Sequence, residues 1–293
     1  MRRSMLFIPG NTPNLLMNGG VLGADALIFD LEDAVSPDEK DSARILVRNT
    51  LKYMDFGRCE TIVRINSLDT AYWQKDLEEL MPQKPHLMML PKTGCAEDVL
   101  ALDRHMAEWE RKLGWEQNTV GILPLLETAI GVEHAFEIAG ACPRVIGLFL
   151  GAEDLTADLR CKRTKAGDEI AYARKRLVMA ARAAGKEVYD TPFTDVNDDE
   201  GMLSDAACAK SLGFSGKASI SPRHVEVINQ VFSPTREELD YACEVMDAIR
   251  YARERGRGAV ALRGKMIDAP IVARAQQTIA AAEELAARQG GRA

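Results

Sequence analysis

Acidic side chains close several apolar runs of this sequence, at the places where strands would end. The clearest case is Val145-Ile146-Gly147-Leu148-Phe149-Leu150-Gly151-Ala152-Glu153-Asp154-Leu155, an apolar run stopped by two adjacent acids. One unit earlier, Val120-Gly121-Ile122-Leu123-Pro124-Leu125-Leu126 runs into Glu127. Carboxylates offered by two neighbouring strand ends are hard oxygen donors suited to Mg2+, which keeps several waters and takes only one or two carboxylates from a protein. A site with so few protein ligands leaves positions open for a substrate, as Lewis-acid catalysis requires. Either Glu153 or Asp154 fits as the second ligand, and the alternative is a salt-bridge network with Arg64 or Lys92.

Further charges gather around this pair. Asp30-Leu31-Glu32-Asp33 places three acids in four positions, and on a strand Asp30 and Glu32 would share a face. They suit roles as holders of metal-bound water or proton carriers, and a capping role at the next helix suits one of them equally. Arg64, in Ile62-Val63-Arg64-Ile65-Asn66, either answers the acids or grips a substrate carboxylate with its two-pronged guanidinium. Lys92 follows Pro91, and a Schiff-base role would need an apolar setting that sequence does not show. No Gly-x-Ser-x-Gly, Walker or dinucleotide fingerprint is present, which turns attention from serine hydrolysis and nucleotide chemistry to enolate chemistry beside a metal.

The elements that must position these groups alternate. Candidate strands are Met5 to Pro9, Ala26 to Leu31, Thr61 to Ile65, Leu87 to Pro91, Val120 to Leu126, Val145 to Leu150, Lys186 to Tyr189 and Lys217 to Ile220. Helical patterns such as Pro37 to Leu51, Ala96 to Leu113, Glu169 to Ala184 and Asp198 to Leu212 lie between them. Eight such units predict an α/β fold, a parallel (β/α)8 TIM barrel over residues 1–232, whose active site lies at the carboxyl ends of the strands. The seventh and eighth strands are short and partly polar, so an open doubly wound sheet is the competing architecture. Ser36-Pro37 reads as a helix start, and Gly185 and Gly213 as stops.

After Pro234 the rhythm changes. A helix from Thr235 to Arg255, the glycine pair of Gly256-Arg257-Gly258, a hairpin-like piece to Asp268 and a helix from Ile271 to Arg288 form an extension, residues 233–293. This C-terminal helical segment is either a lid over the active site or an oligomerisation arm. Gln289-Gly290-Gly291-Arg292 reads as a frayed tail.

Bulk properties narrow the partners. The 293 residues carry a net charge of -7, with 46% hydrophobic and 28% charged side chains, and that balance argues against nucleic acid or an anionic membrane as partner. No apolar run approaches the roughly 20 residues of a membrane span, and the start Met1-Arg2-Arg3 precedes too short an apolar segment for a signal peptide. A cytoplasmic protein is expected. The six cysteines and four histidines are scattered, without the spacing of a disulfide framework or a structural zinc site.

Taken together, Arg3-Ser4-Met5-Leu6-Phe7-Ile8-Pro9-Gly10, Phe29-Asp30-Leu31-Glu32-Asp33-Ala34-Val35, Ile62-Val63-Arg64-Ile65-Asn66, Leu90-Pro91-Lys92, Gly151-Ala152-Glu153-Asp154-Leu155 and Gly264-Lys265-Met266-Ile267-Asp268 resemble the citrate lyase β / malyl-CoA lyase family of metal-dependent barrels. The resemblance runs in order along nearly the whole chain. Asp158-Leu159-Arg160-Cys161-Lys162-Arg163 resembles the citrate lyase β branch. The resemblance implies Mg2+ held by Glu127 and Asp154, with Glu153 as a supporting neighbour. It implies Arg64 facing the substrate carboxylate and enolate, and Asp268 as a lid aspartate that a neighbouring subunit supplies and that exchanges the acetyl proton. The implied reaction cleaves a citryl thioester, on coenzyme A or an acyl carrier, to an acetyl thioester and oxaloacetate. The implied partners are the acyl-carrier γ subunit, the transferase α subunit and further copies of this chain. Malyl or methylmalyl thioesters would use the same groups, and a non-catalytic assembly subunit is the alternative of another class. Ser221 departs from the family, in which many relatives have histidine.

Overall fold

The computed structural model describes residues 1–254 and 260–289. The expected glycine-flanked link at Gly256 to Gly258 and the tail from Gly290 lie outside the described residues. Two compact units divide between Gln230 and Val231, with Met1 grouped with the second.

In the first unit eight strands, β1 (Ser4–Pro9), β2 (Ala26–Asp30), β3 (Glu60–Arg64), β4 (Leu87–Leu90), β5 (Gly121–Leu126), β6 (Gly147–Leu150), β7 (Glu187–Asp190) and β8 (Gly216–Ser219), pair in sequence order to form a closed barrel. The closing seam is parallel, with Ser4 opposite Lys217, Met5 opposite Ala218 and Leu6 opposite Ser219. This seam removes the open-sheet alternative. Helices α1 (Pro13–Asn18), α2 (Lys40–Tyr53), α3 (Trp73–Leu80), α4 (Ala96–Leu113), α5 (Ala129–Glu133), α6 (Ala135–Ala139), α7 (Ala152–Asp158), α8 (Ala171–Ala183), α9 (Asp199–Leu212) and α10 (Pro222–Phe232) fill the connections.

Every strand contributes to the barrel interior: Met5, Ala26, Ile28, Ile62, Leu87, Met89, Leu123, Leu125, Phe149, Tyr189 and Ala218 form one buried cluster. The alternation inherent to a strand sends every second residue inward. Three local readings need correction. Val145 forms only an isolated bridge with Ile122, the Ile146 amide bonds the Ile122 carbonyl at 3.1 Å, and β6 proper starts at Gly147. Pro37 opens a 3-10 turn, Pro37–Glu39, and the Ser36 hydroxyl bonds the Glu39 carboxylate at 3.1 Å in place of a backbone amide. The acids of the sixth unit belong to a helix, α7, whose first turn holds both Glu153 and Asp154.

Four charged side chains form one buried network outside the last strands. Lys217, wholly buried on β8, donates to Asp190 Oδ2 at 2.6 Å and to the Thr191 carbonyl at 2.7 Å, and lies 2.6 Å from Asp205 Oδ2. Arg174 of α8 bonds both oxygens of Asp190, at 2.9 and 2.8 Å, and Asp205 Oδ1 of α9 at 2.7 Å. Two cations and two carboxylates thus tie β7 and β8 to α8 and α9.

The second unit contains α11 (Arg236–Glu254), the antiparallel pair β9 (Val260–Leu262) and β10 (Lys265–Ile267), and α12 (Ala269–Gln289). Arg263 and Gly264 link the hairpin with φ of 50° and 77°, the positive values that a tight two-residue hairpin turn demands. Its core is Ala242, Val245, Ile267 and Ala275 with flanking Tyr241, Ile249 and Leu262.

Breaking a buried ion pair from one side leaves an uncompensated charge, which costs about 3–5 kcal/mol. Lys217→Met should therefore lower the unfolding free energy by about that amount, read from urea midpoints at neutral pH. A loss of less than about 1 kcal/mol would show that the network adds little to stability.

Candidate active site

Inward parity carries the barrel core directly into the mouth. Ala26 and Ile28 fill the interior and Asp30 is next on the same face; Ile62 leads to Arg64, and Leu123 and Leu125 lead to Glu127. The same face of β1 presents Phe7. A cleft of about 390 Å3 opens at these carboxyl ends, lined among others by Phe7, Asp30, Arg64, Glu127, Asp154 and Thr191.

Arg64 is held in one plane. Its Nε and Nη2 donate to Asp30 Oδ1 and Oδ2 at 2.7 and 2.6 Å, and Nη1 lies 3.1 Å from Glu32 Oε2 and 3.7 Å from Asp33 Oδ2. The guanidinium stacks over the Phe7 ring at 5.2 Å. Burial pulls the Arg64 pKa down, but the Asp30 charge and hydrogen bonds outweigh it and the value rises. Asp30 is itself fixed by the amides of Glu32 at 2.9 Å and Ala34 at 3.2 Å. Arg64 therefore remains a cation, held in a fixed orientation at the cleft.

Glu32 is buried 3.1 Å from Lys92 Nζ as well. Burial raises the Glu32 pKa and the Arg64 charge opposes it; the hydrogen bond that Lys92 donates to Glu32 raises the Lys92 pKa. Strand β2 ends at Asp30, so Glu32 reaches Arg64 from the loop that follows and not from a shared strand face. Neither Glu32 nor Lys92 is among the residues lining the main cleft, whereas the half-exposed Asp33 is. The Lys92 backbone has φ of 52°, in the left-handed region, and this turn lets its amide donate to Glu127 Oε1 at 2.6 Å.

Glu127, at the end of β5, is 3% exposed. Burial is the main cause that pushes its carboxyl up to about 8, with Glu32 and Asp154 adding repulsion and the Lys92 amide and Arg64 opposing. A Cβ at Gly151 would lie 2.7 Å from both Cβ and Oε2 of Glu127, so a side chain at that position would displace the carboxylate. Asp154 lines the cleft from α7. Glu153, next to it, is largely exposed and lies 3.6 Å from Arg163 Nε. The Thr191 hydroxyl accepts the Ala152 amide at 3.1 Å, at the first residue of α7.

This donor set fits a hard divalent cation. Two carboxylates open to a cleft, one of them buried and short of positive charge, are what Mg2+ neutralises. Among the described residues no three His, Cys, Asp or Glu side chains converge into a closed cage, so the arrangement is the open kind that leaves room for substrate. The barrel thus brings together Asp30, Glu32, Asp33, Arg64, Lys92, Glu127, Glu153 and Asp154. Asp268 belongs to the second unit, exposed at the start of α12, where its Oδ1 accepts the Ile271 amide at 3.2 Å. Ser221 accepts the Arg223 amide at 3.3 Å and its carbonyl takes the Ser219 hydroxyl at 2.7 Å, closing the turn after β8. Phe7 and Thr191 were not singled out from sequence as site residues. Inward parity identifies the former; the latter is readable from sequence only as part of a strand end, Asp190-Thr191, with nothing to show its partner at Ala152.

A (β/α)8 barrel with carboxylates and a fixed arginine at its carboxyl mouth has its charged groups where enzymes of this fold carry their active sites. The HpcH/HpaI aldolase/citrate lyase family model matches residues 3–222, and the chain belongs to that family. The citrate lyase subunit beta of Leuconostoc mesenteroides subsp. cremoris is 41% identical over 279 residues, 95% of this chain and 92% of the relative. An L-malyl-CoA/beta-methylmalyl-CoA lyase of Cereibacter sphaeroides is 34% identical over 305 residues, covering 97% and 96%. Among solved structures, the CitE protein of Mycobacterium tuberculosis in complex with magnesium, acetoacetate and coenzyme A superposes with a TM-score of 0.79 at 32% identity, covering 96% of this chain and 98% of that one.

The Glu127 pKa has a measurable consequence. Its folded value of about 8 exceeds the unfolded value of about 4.3, so between those limits the folded state holds a proton that the unfolded state releases, and stability falls as pH rises. In metal-free protein the fall from pH 5 to pH 8.5 should be steeper for wild type than for Glu127→Gln by roughly 3–5 kcal/mol, measured by urea unfolding. A Mg2+ ion bound at Glu127 would take the place of that proton and flatten the wild-type profile. Equal slopes for wild type and Glu127→Gln would contradict the buried acid.

Proposed function

We propose that this chain is a magnesium-dependent carbon–carbon lyase that cleaves a citryl thioester, on coenzyme A or an acyl-carrier protein, to an acetyl thioester and oxaloacetate. It acts as a citrate lyase β subunit, with an acyl-carrier γ subunit and a transferase α subunit as partners, in the cytoplasm. The observation that carries the reading is the meeting of Glu127, Asp154 and the locked Arg64 in one cleft. The choice of citryl over malyl thioester is supported by the higher identity to citrate lyase β relatives.

Glu127 and Asp154 would hold the metal, with Glu153, Asp33 and the Glu32–Lys92 pair supporting the charges around it. Magnesium, when bound, supplies Lewis acidity toward the substrate's hydroxyl and carboxylate oxygens. Cleavage breaks the bond between the carbinol carbon and the acetyl methylene. The electron pair passes to the methylene as a thioester enolate, the hydroxyl loses its proton, and the carbonyl of oxaloacetate forms. Arg64 donates to the substrate carboxylate and to the enolate oxygen, where negative charge grows. Because Asp30 fixes the guanidinium beforehand, no reorganisation accompanies that growth. Asp268 returns a proton to the methylene, reaching the cleft from a neighbouring copy in a homo-oligomer.

Purified protein with Mg2+ should release oxaloacetate from citryl-CoA faster than glyoxylate from malyl-CoA, and chelation should abolish both. The reverse preference would assign a malyl-CoA or methylmalyl-CoA lyase. No cleavage of either, with Mg2+ binding unchanged in Glu127→Ala, would leave a non-catalytic assembly subunit. Arg64→Lys, which loses the two-pronged geometry, should lower kcat about 100-fold or more.

Mixing inactive Asp268→Ala with inactive Glu127→Ala subunits tests the lid. Partial activity in verified mixed oligomers is expected, and none would place Asp268 in its own subunit's site or outside catalysis.

A further inference from the structure

The first four amides of a helix have no partner within it, and the residue before the helix ordinarily caps them with a side-chain oxygen. For α7 that residue is Gly151, which has none. Glycine is required there by the neighbouring strand, since a Cβ would strike Glu127 at 2.7 Å. The close packing of one carboxylate therefore removes the cap from the helix that carries the other. An oxygen from beyond the next strand serves the first of these amides: Thr191, 1% exposed just after β7, accepts the Ala152 amide through its hydroxyl at 3.1 Å. Its own carbonyl is fixed by the buried Lys217 amine at 2.7 Å.

We propose that Thr191 is a positioning residue for metal binding: its hydroxyl holds the first amide of α7 from the end of the adjacent strand and so sets where Asp154 stands relative to Glu127. This rests on the reading that Glu127 and Asp154 hold magnesium. Asp154 lies two residues beyond the capped amide, inside a helix of 7 residues. With so few internal hydrogen bonds, loss of the cap frays the turn on which the carboxylate is mounted. Other bonds fix the rest of this segment, with the Gly151 amide on the Leu126 carbonyl at 3.0 Å and the Thr156 hydroxyl on the Ala152 carbonyl at 3.0 Å. Neither contributes an acceptor to the Ala152 amide.

Magnesium titration by calorimetry of the full chain, without substrate, tests this. Thr191→Val keeps the shape and removes the acceptor; Thr191→Ser keeps the acceptor. The Mg2+ Kd should rise about tenfold in Thr191→Val and stay near wild type in Thr191→Ser, with thermal midpoints of the two variants alike. A wild-type Kd in Thr191→Val, or equal weakening in both, overturns the proposal. Asp154→Asn separates the two readings: if it binds magnesium normally, the metal assignment itself fails. If Thr191→Val does not fold, hydrogen exchange of the wild-type Ala152 amide decides. Protection comparable to the Leu155 amide supports the cap, and exchange at the rate of an exposed amide overturns it.

Discussion

One guanidinium holds the charges of the barrel mouth in place. Arg64 reaches Asp30 with two short bonds and Glu32 with a third contact, and without it these buried acids would repel one another in a setting that screens poorly. It does not neutralise them all. Lys92 offsets part of the charge at Glu32, while Glu127 is left buried, and that burial pushes its carboxyl up to about 8. The surplus of acid over base at the mouth is thus a built property of the site, and it favours occupation by a divalent cation.

The outline of the fold was legible because eight short apolar runs alternate with amphipathic helical patterns, and the regular alternation marks the short runs as strands. Helix α4 matches its expected span, Ala96 to Leu113. Asp98 takes the amides of Gly94 and Cys95 at its start, and Gly114 with φ of 70° stops it. The start of α7 was not legible in the same way. Residues 145 to 155 are apolar almost throughout, and such a run reads equally as strand or helix until a charge interrupts it.

The site was legible where residue type carries the chemistry, as at Arg64 and Glu127, and illegible where the backbone does. The amide that supports Glu127 belongs to Lys92, whose side chain points to a different acid. Nothing in a lysine codon announces that its N–H is the useful group, and its left-handed backbone is uncommon outside glycine. Thr191 is similar: its partner lies 39 positions away in sequence, beyond the reach of any local pattern. Conversely, Ser36 carried a strong local capping signal that the chain does not use.

The paired charges behind β7 and β8 bear on how the chain is made. During synthesis Asp190, Arg174 and Asp205 emerge before Lys217, and until that lysine arrives two acids share one cation. A nascent barrel of seven strands would have to bury this imbalance as well as leave β1 and β7 with open edges. Completion of the last strand removes both penalties at once, since Lys217 stands directly opposite Ser4 in the closing register. The eighth strand therefore both closes the barrel and balances the charge buried behind it.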